Sequence, residues 1–158
     1  MRLIDIETGR TLIGIIEELN WEGLTELDKN DNFQFDWTKE TKYNVFQIQV
    51  KGEKETLGVI SLIDVPQEFR VHINLIESSS KHRGKEKKID NISGCLISYA
   101  CQLAFEKGYD GFVSLVPKTR LVNYYHKKFG FIQVGTQMAI FDEKSQLIIL
   151  KYQTNEIL

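Results

Sequence analysis

The amino-acid sequence predicts an α/β (α+β) fold: a mixed, mostly antiparallel sheet of about six to seven strands flanked by helices, with one parallel crossover. Two runs of alternation carry the antiparallel part. Phe46, Ile48 and Val50 alternate with Gln47 and Gln49, and Val71, Ile73 and Leu75 alternate with His72 and Asn74. A side-chain period of two belongs to a strand with one buried and one wetter face. Ile92, Leu96, Tyr99, Ala100 and Leu103 then recur at helical spacing until Gly108, and the short apolar run Phe112-Val113-Ser114-Leu115-Val116 follows directly. Strand, helix, strand in that order closes within one sheet by a parallel crossover.

At 158 residues, 42% hydrophobic and 27% charged, the chain is sized for a single globular domain spanning 1–158. A formal net charge of −2 supplies no general field to grip a phosphate polymer. Nucleic acid is therefore not an expected partner, and any anion site must be local. Arg2, Asp5, Glu7 and Arg10 stand where a secretion signal needs an unbroken apolar core, and no apolar run reaches the length of a membrane span. A cytoplasmic protein without membrane contact is expected, with a homodimer as one assembly it could form.

Cys95 and Cys101 lie six apart in the long helix, where each residue turns by about 100°, so they point away from each other and cannot pair within it. No Cys-x-x-Cys, His-Glu-x-x-His or acidic calcium loop occurs. A metal site has no support in the spacing, and the two thiols read as small buried hydrophobes.

In chain order, Leu3 and Ile4 open a first strand, and Leu12 to Leu27 is apolar enough for a helix interrupted by Gly14 and Gly23. The strand ending at Val50 turns through Lys51-Gly52-Glu53 into a hairpin partner over Thr56 to Ile63. After Asp64-Val65-Pro66-Gln67, the strand Phe69 to Ile76 leads into a polar stretch, Glu77 to Asn91, and then the long helix. Pro117 ends the strand over Phe112 to Val116. Thr119 caps a second helix with an apolar face of Leu121, Val122, Tyr125 and Phe129, and Gly130 stops it. Phe131 to Phe141 and Leu147 to Tyr152 read as two closing strands around a turn at Asp142 to Gln146.

The chemistry concentrates before the long helix. A strand, a polar loop and a helix start form a generic anion site, because unpaired N–H groups and the positive end of the helix dipole face the loop. Here the loop carries Lys81, Arg83, Lys85, Lys87 and Lys88, and Ser93-Gly94-Cys95 opens the helix with small residues that let a ligand approach the backbone.

From Phe69 to Phe131 the order resembles the GNAT superfamily of acyl-CoA-dependent N-acyltransferases. The matching parts are the fourth strand, a pyrophosphate loop, a long helix ending Phe105-Glu106-Lys107-Gly108-Tyr109, the fifth strand, and a short helix ending Lys128-Phe129-Gly130-Phe131. That last segment is similar to the family's Tyr-x-Lys-x-Gly-Phe signature. The resemblance implies acetyl-CoA as acyl donor, lying in a V-shaped gap between the fourth and fifth strands. The family's Arg/Gln-x-x-Gly-x-Gly/Ala loop falls on Lys88-Ile89-Asp90-Asn91-Ile92-Ser93, so both glycine positions hold other residues. Pyrophosphate contacts are expected from the backbone of Asn91, Ile92, Ser93, Gly94 and Cys95, with Lys87 or Lys88 as an added charge. The adenine end is expected near Lys118 to Asn123, Thr119 included, or near the basic loop.

In the family a tyrosine five positions before the final Phe commonly protonates the departing thiolate. That position is His126, immediately after Tyr124 and Tyr125, so Tyr125 and His126 are both candidate acids. An acceptor amine with an ordinary pKa of about 10.4 arrives protonated and needs a proton acceptor, for which Glu77 and His72 are the candidates. Backbone N–H groups near Leu75 and Ile76 are implied as the oxyanion donors. The expected activity is N-acetyl transfer by direct attack in a ternary complex. The alternative is a catalytically inactive GNAT-like module that binds CoA or another protein.

Overall fold

The computed structural model describes residues 1–153. In chain order its strands are β1 (Arg2–Asp5), β2 (Thr11–Glu18), β3 (Asn44–Val50), β4 (Gly58–Val65), β5 (Arg70–Ser78), β6 (Ile89–Asp90), β7 (Val113–Leu115), β8 (Ile132–Val134) and β9 (Gln137–Ile140). The helices are α1 (Trp21–Asp28), α2 (Ile92–Glu106), α3 (Val122–Phe129) and α4 (Asp142–Tyr152). The strands join in the order β6-β1-β2-β3-β4-β5-β7-β9-β8. The β5–β7 pair is parallel, joined by α2, and its neighbours pair antiparallel as the sequence predicts.

Nine strands replace the expected six or seven: β2 and the two-residue β6 are added, the expected strand Phe131 to Phe141 divides into β8 and β9, and the last expected strand is a helix. The single helix expected over Leu12 to Leu27 divides into β2 and α1. The β-branched Ile13, Ile15 and Ile16 favour a strand, and Asn20 starts the helix by accepting the Gly23 N–H at 3.0 Å. The segment Phe131 to Phe141 folds back on itself as β8 and β9, turning at Gly135 with φ of +64°. The strand and turn expected after Phe141 are one helix, α4, in which Ile148 and Tyr152 share the buried face. Thr119 lies inside a 3₁₀ turn, Thr119–Leu121, that runs into α3, and its side chain caps neither element.

The two faces of the sheet carry different layers. Phe46, Ile48, Ile60, Val71 and Ile73 meet Leu96, Ile97, Ala100 and Ala104 of α2, with α4 joining through Ile148 and Tyr152. Val45 and Val59, one residue out of phase, meet Leu24 and Leu27 of α1, Phe33 of the loop after it and Trp37 of the 3₁₀ turn Trp37–Glu40. The α1 layer covers β3 and β4 and ends beside β5, which leaves the parallel pair at its margin.

Candidate active site

The parallel pair is brief. Val71, His72 and Ile73 pair with Val113, Ser114 and Leu115, after which the two strands separate. On the other side of β5, Ile73 pairs with Leu62 and Leu75 with Ser61, so Asn74 is an extra residue, a β-bulge that bends the strand at the point of separation. A cavity of about 240 Å³ opens between the diverging ends. Asn74, Leu75 and Ile76 form one wall, Val116 to Lys118 another, and Tyr125 and Phe35 close it. The backbone of β5 past Ile73 has no β7 partner here, so its polar groups can serve a ligand.

Tyr125 stands in this gap with a hydroxyl that makes no hydrogen bond within the described residues and keeps contact with solvent. Burial, reinforced by Tyr124, pushes its pKa up, so it stays protonated. His126 turns elsewhere: exposed, its Nδ1–H donates to the Phe131 carbonyl at 2.8 Å and ties the end of α3 to the following segment. One step of helix separates the two side chains and sends them to different jobs.

The proposed proton acceptors are also redirected. Glu77 is only 4% exposed, and its carboxylate accepts the Gln34 N–H at 2.7 Å, the Phe35 N–H at 3.3 Å and Trp37 Nε1–H at 2.9 Å. It organises the segment that brings Phe35 to the gap. His72 lies half-buried with Nδ1 at 2.8 Å from Ser114 Oγ and 3.1 Å from Arg70 Nη1. Arg70 can only donate, so Nδ1 accepts and the ring proton sits on Nε2. Burial, with Arg70 adding to it, holds the His72 pKa below the ordinary value, which opposes uptake of a further proton.

A second cavity, of about 170 Å³, lies at the start of α2 and is bounded by Arg83, Lys87, Asn91, Ser93, Tyr124 and Lys128 among others. Asn91 has φ of +74°, the left-handed conformation that a glycine takes most readily and that asparagine tolerates better than other residues. It supplies the bend that the first missing glycine would have supplied. The Asn91 N–H goes to Asp90 Oδ1 at 2.9 Å, and the Cys95 N–H to the Asn91 carbonyl at 2.9 Å. Those of Ile92, Ser93 and Gly94 take no acceptor within the described residues. Free donors thus narrow from the expected five residues to three.

Lys88 is exposed and does not border this cavity; its carbonyl instead accepts the Ile6 N–H at 3.0 Å. Lys87 does border it but pairs with Asp90 at 2.9 Å. Thr119 borders neither cavity, although its neighbours Lys118 and Leu121 line the gap. Tyr124 and Lys128 were not singled out for binding from the sequence; the ammonium of Lys128 lies 5.6 Å from the Tyr124 ring and both edge the cavity. The burial of Cys95 and Cys101 raises both thiols to about 12, which leaves no reactive thiolate. Among the described residues no group of three or more His, Cys, Asp or Glu could hold a metal, and no helix is long and apolar enough to cross a membrane.

No family model matches the chain, and no curated protein matches it in sequence. Solved structures do match in fold. A structure of the spermidine/spermine N-acetyltransferase SpeG from Vibrio cholerae aligns with a TM-score of 0.63 at 14% identity, over 85% of this chain and 98% of that one. PaiA N-acetyltransferase from Thermoplasma acidophilum, in complex with coenzyme A, aligns at 0.57 and 13% identity over 83% and 99%. AtaT complexed with acetyl-methionyl-tRNAfMet aligns at 0.58 and 12% identity over 89% and 100%.

Proposed function

We propose that this chain, whose fold is that of the GNAT N-acetyltransferases, transfers an acetyl group from acetyl-CoA to a primary amine in a ternary complex. The observation that carries the proposal is the joint placement of two features along β5 and α2. The strand gap holds an unbonded, protonated Tyr125, and the helix start that follows offers three free N–H groups beside Lys128 and Arg83. Such a pair suits a ligand with an anionic diphosphate at one end and a thioester at the other.

The N–H groups of Ile92, Ser93 and Gly94, with Lys128, would hold the diphosphate, and the unpaired backbone of β5 near Leu75 and Ile76 would orient the thioester and hydrogen-bond its oxygen. One oxyanion donor of this kind contributes about 3 kcal/mol to a transition state. When bound, the thioester supplies an acyl group activated towards an amine. A carbon–nitrogen bond forms, the carbon–sulfur bond breaks, and Tyr125 gives its proton to the sulfur; of the two protons an ammonium must lose, one restores Tyr125 and the other leaves to solvent. Neither cysteine takes part, since both are buried and unactivated.

A binding module without turnover is the second reading, favoured by Asp90, whose carboxylate already occupies Lys87 and the first N–H of the helix start. Calorimetry with acetyl-CoA, followed by release of free thiol in the presence of pooled amines, decides between them. Binding with thiol release is expected; binding alone selects the module, and no binding at millimolar ligand refutes both.

A further inference from the structure

Two buried carboxylates stand in the layer over β5, and they differ in what satisfies them. Glu77 is filled by three N–H donors. Glu40, 8% exposed in the turn Trp37–Glu40, accepts one hydrogen bond, from Asn74 Nδ2 to Oε1 at 2.6 Å. Its Oε2 takes no donor within the described residues, yet is not sealed from solvent, and Glu40 has no ion pair among them. A carboxylate removed from water is costly unless a cation or several donors replace the lost hydration. Its one partner, Asn74, is the bulge residue that lines the gap together with Tyr125.

We infer that Glu40, bonded to the Asn74 wall of the gap although it does not itself line it, is the counter-ion of the acceptor: it binds a primary alkyl ammonium at Oε2, while Asn74 holds Oε1. This rests on the acyltransferase proposal and deepens it, since it restricts the acceptor to amines that arrive as cations. Lys118 is the cation among the gap's lining residues, and it is exposed on the opposite wall without a bond to Glu40. An ammonium ion fills the unmet side of Glu40 with a charge-assisted bond, whereas a neutral amine or hydroxyl leaves the buried charge uncompensated.

The test compares tyramine, a cation at neutral pH, with para-anisidine, an aromatic amine that is neutral there. Glu40→Gln keeps the acceptor oxygen for Asn74 and removes only the charge. The expected result is a loss of about 100-fold in kcat/KM for tyramine against about threefold or less for para-anisidine. Acetyl-CoA affinity by calorimetry should stay within about twofold of the parent. Equal losses on both amines, or none on tyramine, overturn the inference. So does a parent that binds acetyl-CoA but acetylates neither amine, whereas a parent that fails to bind acetyl-CoA refutes the underlying proposal instead. If Glu40→Gln melts too low to assay, Glu40→Asp decides the matter by drawing the charge back one methylene: a loss selective for tyramine supports the inference, and a uniform loss overturns it.

Discussion

The ring of Tyr152, the last residue of α4, lies against Gly94 in the first turn of α2, so closely that a Cβ on Gly94 would sit 2.2 Å from Tyr152 Cε1. Tyr152 is 1% exposed, and its carbonyl also receives the Cys95 thiol at 3.6 Å. The missing side chain at Gly94 thus admits the protein's own aromatic ring beneath the helix start, while Ile92 and Ser93 of the same turn line the basic cavity.

Gly94→Ala should therefore act on stability. Forcing a methyl into a filled contact costs about 1–3 kcal/mol or more, and the melting temperature should fall accordingly. Adding Tyr152→Leu, which withdraws the ring, should return part of the loss. An unchanged melting temperature for Gly94→Ala would show that α4 yields without cost.

Asp90 competes with any anion at the same helix start. Burial works to raise its pKa, but the Lys87 hydrogen bond, the Asn91 N–H and the charges of Lys87 and Lys128 outweigh it and hold the carboxyl below the usual range. Asp90→Asn preserves an acceptor for the Asn91 N–H while freeing the Lys87 charge. Coenzyme A should bind several-fold more tightly at low salt, and the gain should shrink as salt rises, since surface charges are screened over about 10 Å at about 0.1 M. Equal affinity at low salt would remove Lys87 from the anion site.

Tyr125→Phe keeps the ring and removes the transferable proton. Turnover should fall by about 100-fold while acetyl-CoA affinity changes little. His126→Ala, which only releases a tie to the Phe131 carbonyl, should keep near-parent turnover at a lower melting temperature. With a phenol as acid, its pKa raised by burial, the rate should not decline as pH rises through about 6.5, where an imidazole acid would deprotonate. A decline there, or an active Tyr125→Phe, would return the role to His126.

His72 should make stability depend on pH. Its folded pKa is held down by burial and by Arg70, partly offset by Glu68, while in the unfolded chain the imidazole takes a proton near about 6.5. Between those two values the unfolded state binds more protons, so stability is full above about 6.5 and falls as pH drops toward the folded pKa. Melting curves of the parent should show this fall, and His72→Gln, which retains an acceptor for Ser114, should flatten it. Identical slopes would place the imidazole in a neutral setting.

Much of the framework was legible because its signals are local. The alternation in β3 and β5, the helical period of α2 and the stops at Gly108 and Gly130 each depend on residues a few positions apart, and each element lies where its period puts it. The segment from Leu12 to Leu27 was misread because an apolar run without a clear period does not separate a strand from a helix. The helix α4 was misread because Leu147-Ile148-Ile149-Leu150 is an unbroken apolar run that reads as a strand, and only packing against α2 selects Ile148 and Tyr152 as its buried side.

In the candidate site the sequence by itself determined the ingredients: a basic loop before a helix, the Lys-Phe-Gly-Phe segment, and a tyrosine and a histidine side by side. Tertiary structure alone decided which of them meet. Tyr125 faces the gap and His126 a carbonyl because one helical step rotates them apart around α3. Glu77 is consumed by three donors and Glu40 is left open, because the turn after α1 lays its N–H groups over one carboxylate and a single bulged asparagine against the other. Nothing in the spacing of Asn74 and Tyr125, or of Asn74 and Glu40, announces their meeting. Asn74 shares the gap with Tyr125 because β5 splays from β7, and it reaches Glu40 because the turn after α1 packs beside β5; both depend on contacts between segments far apart in the chain.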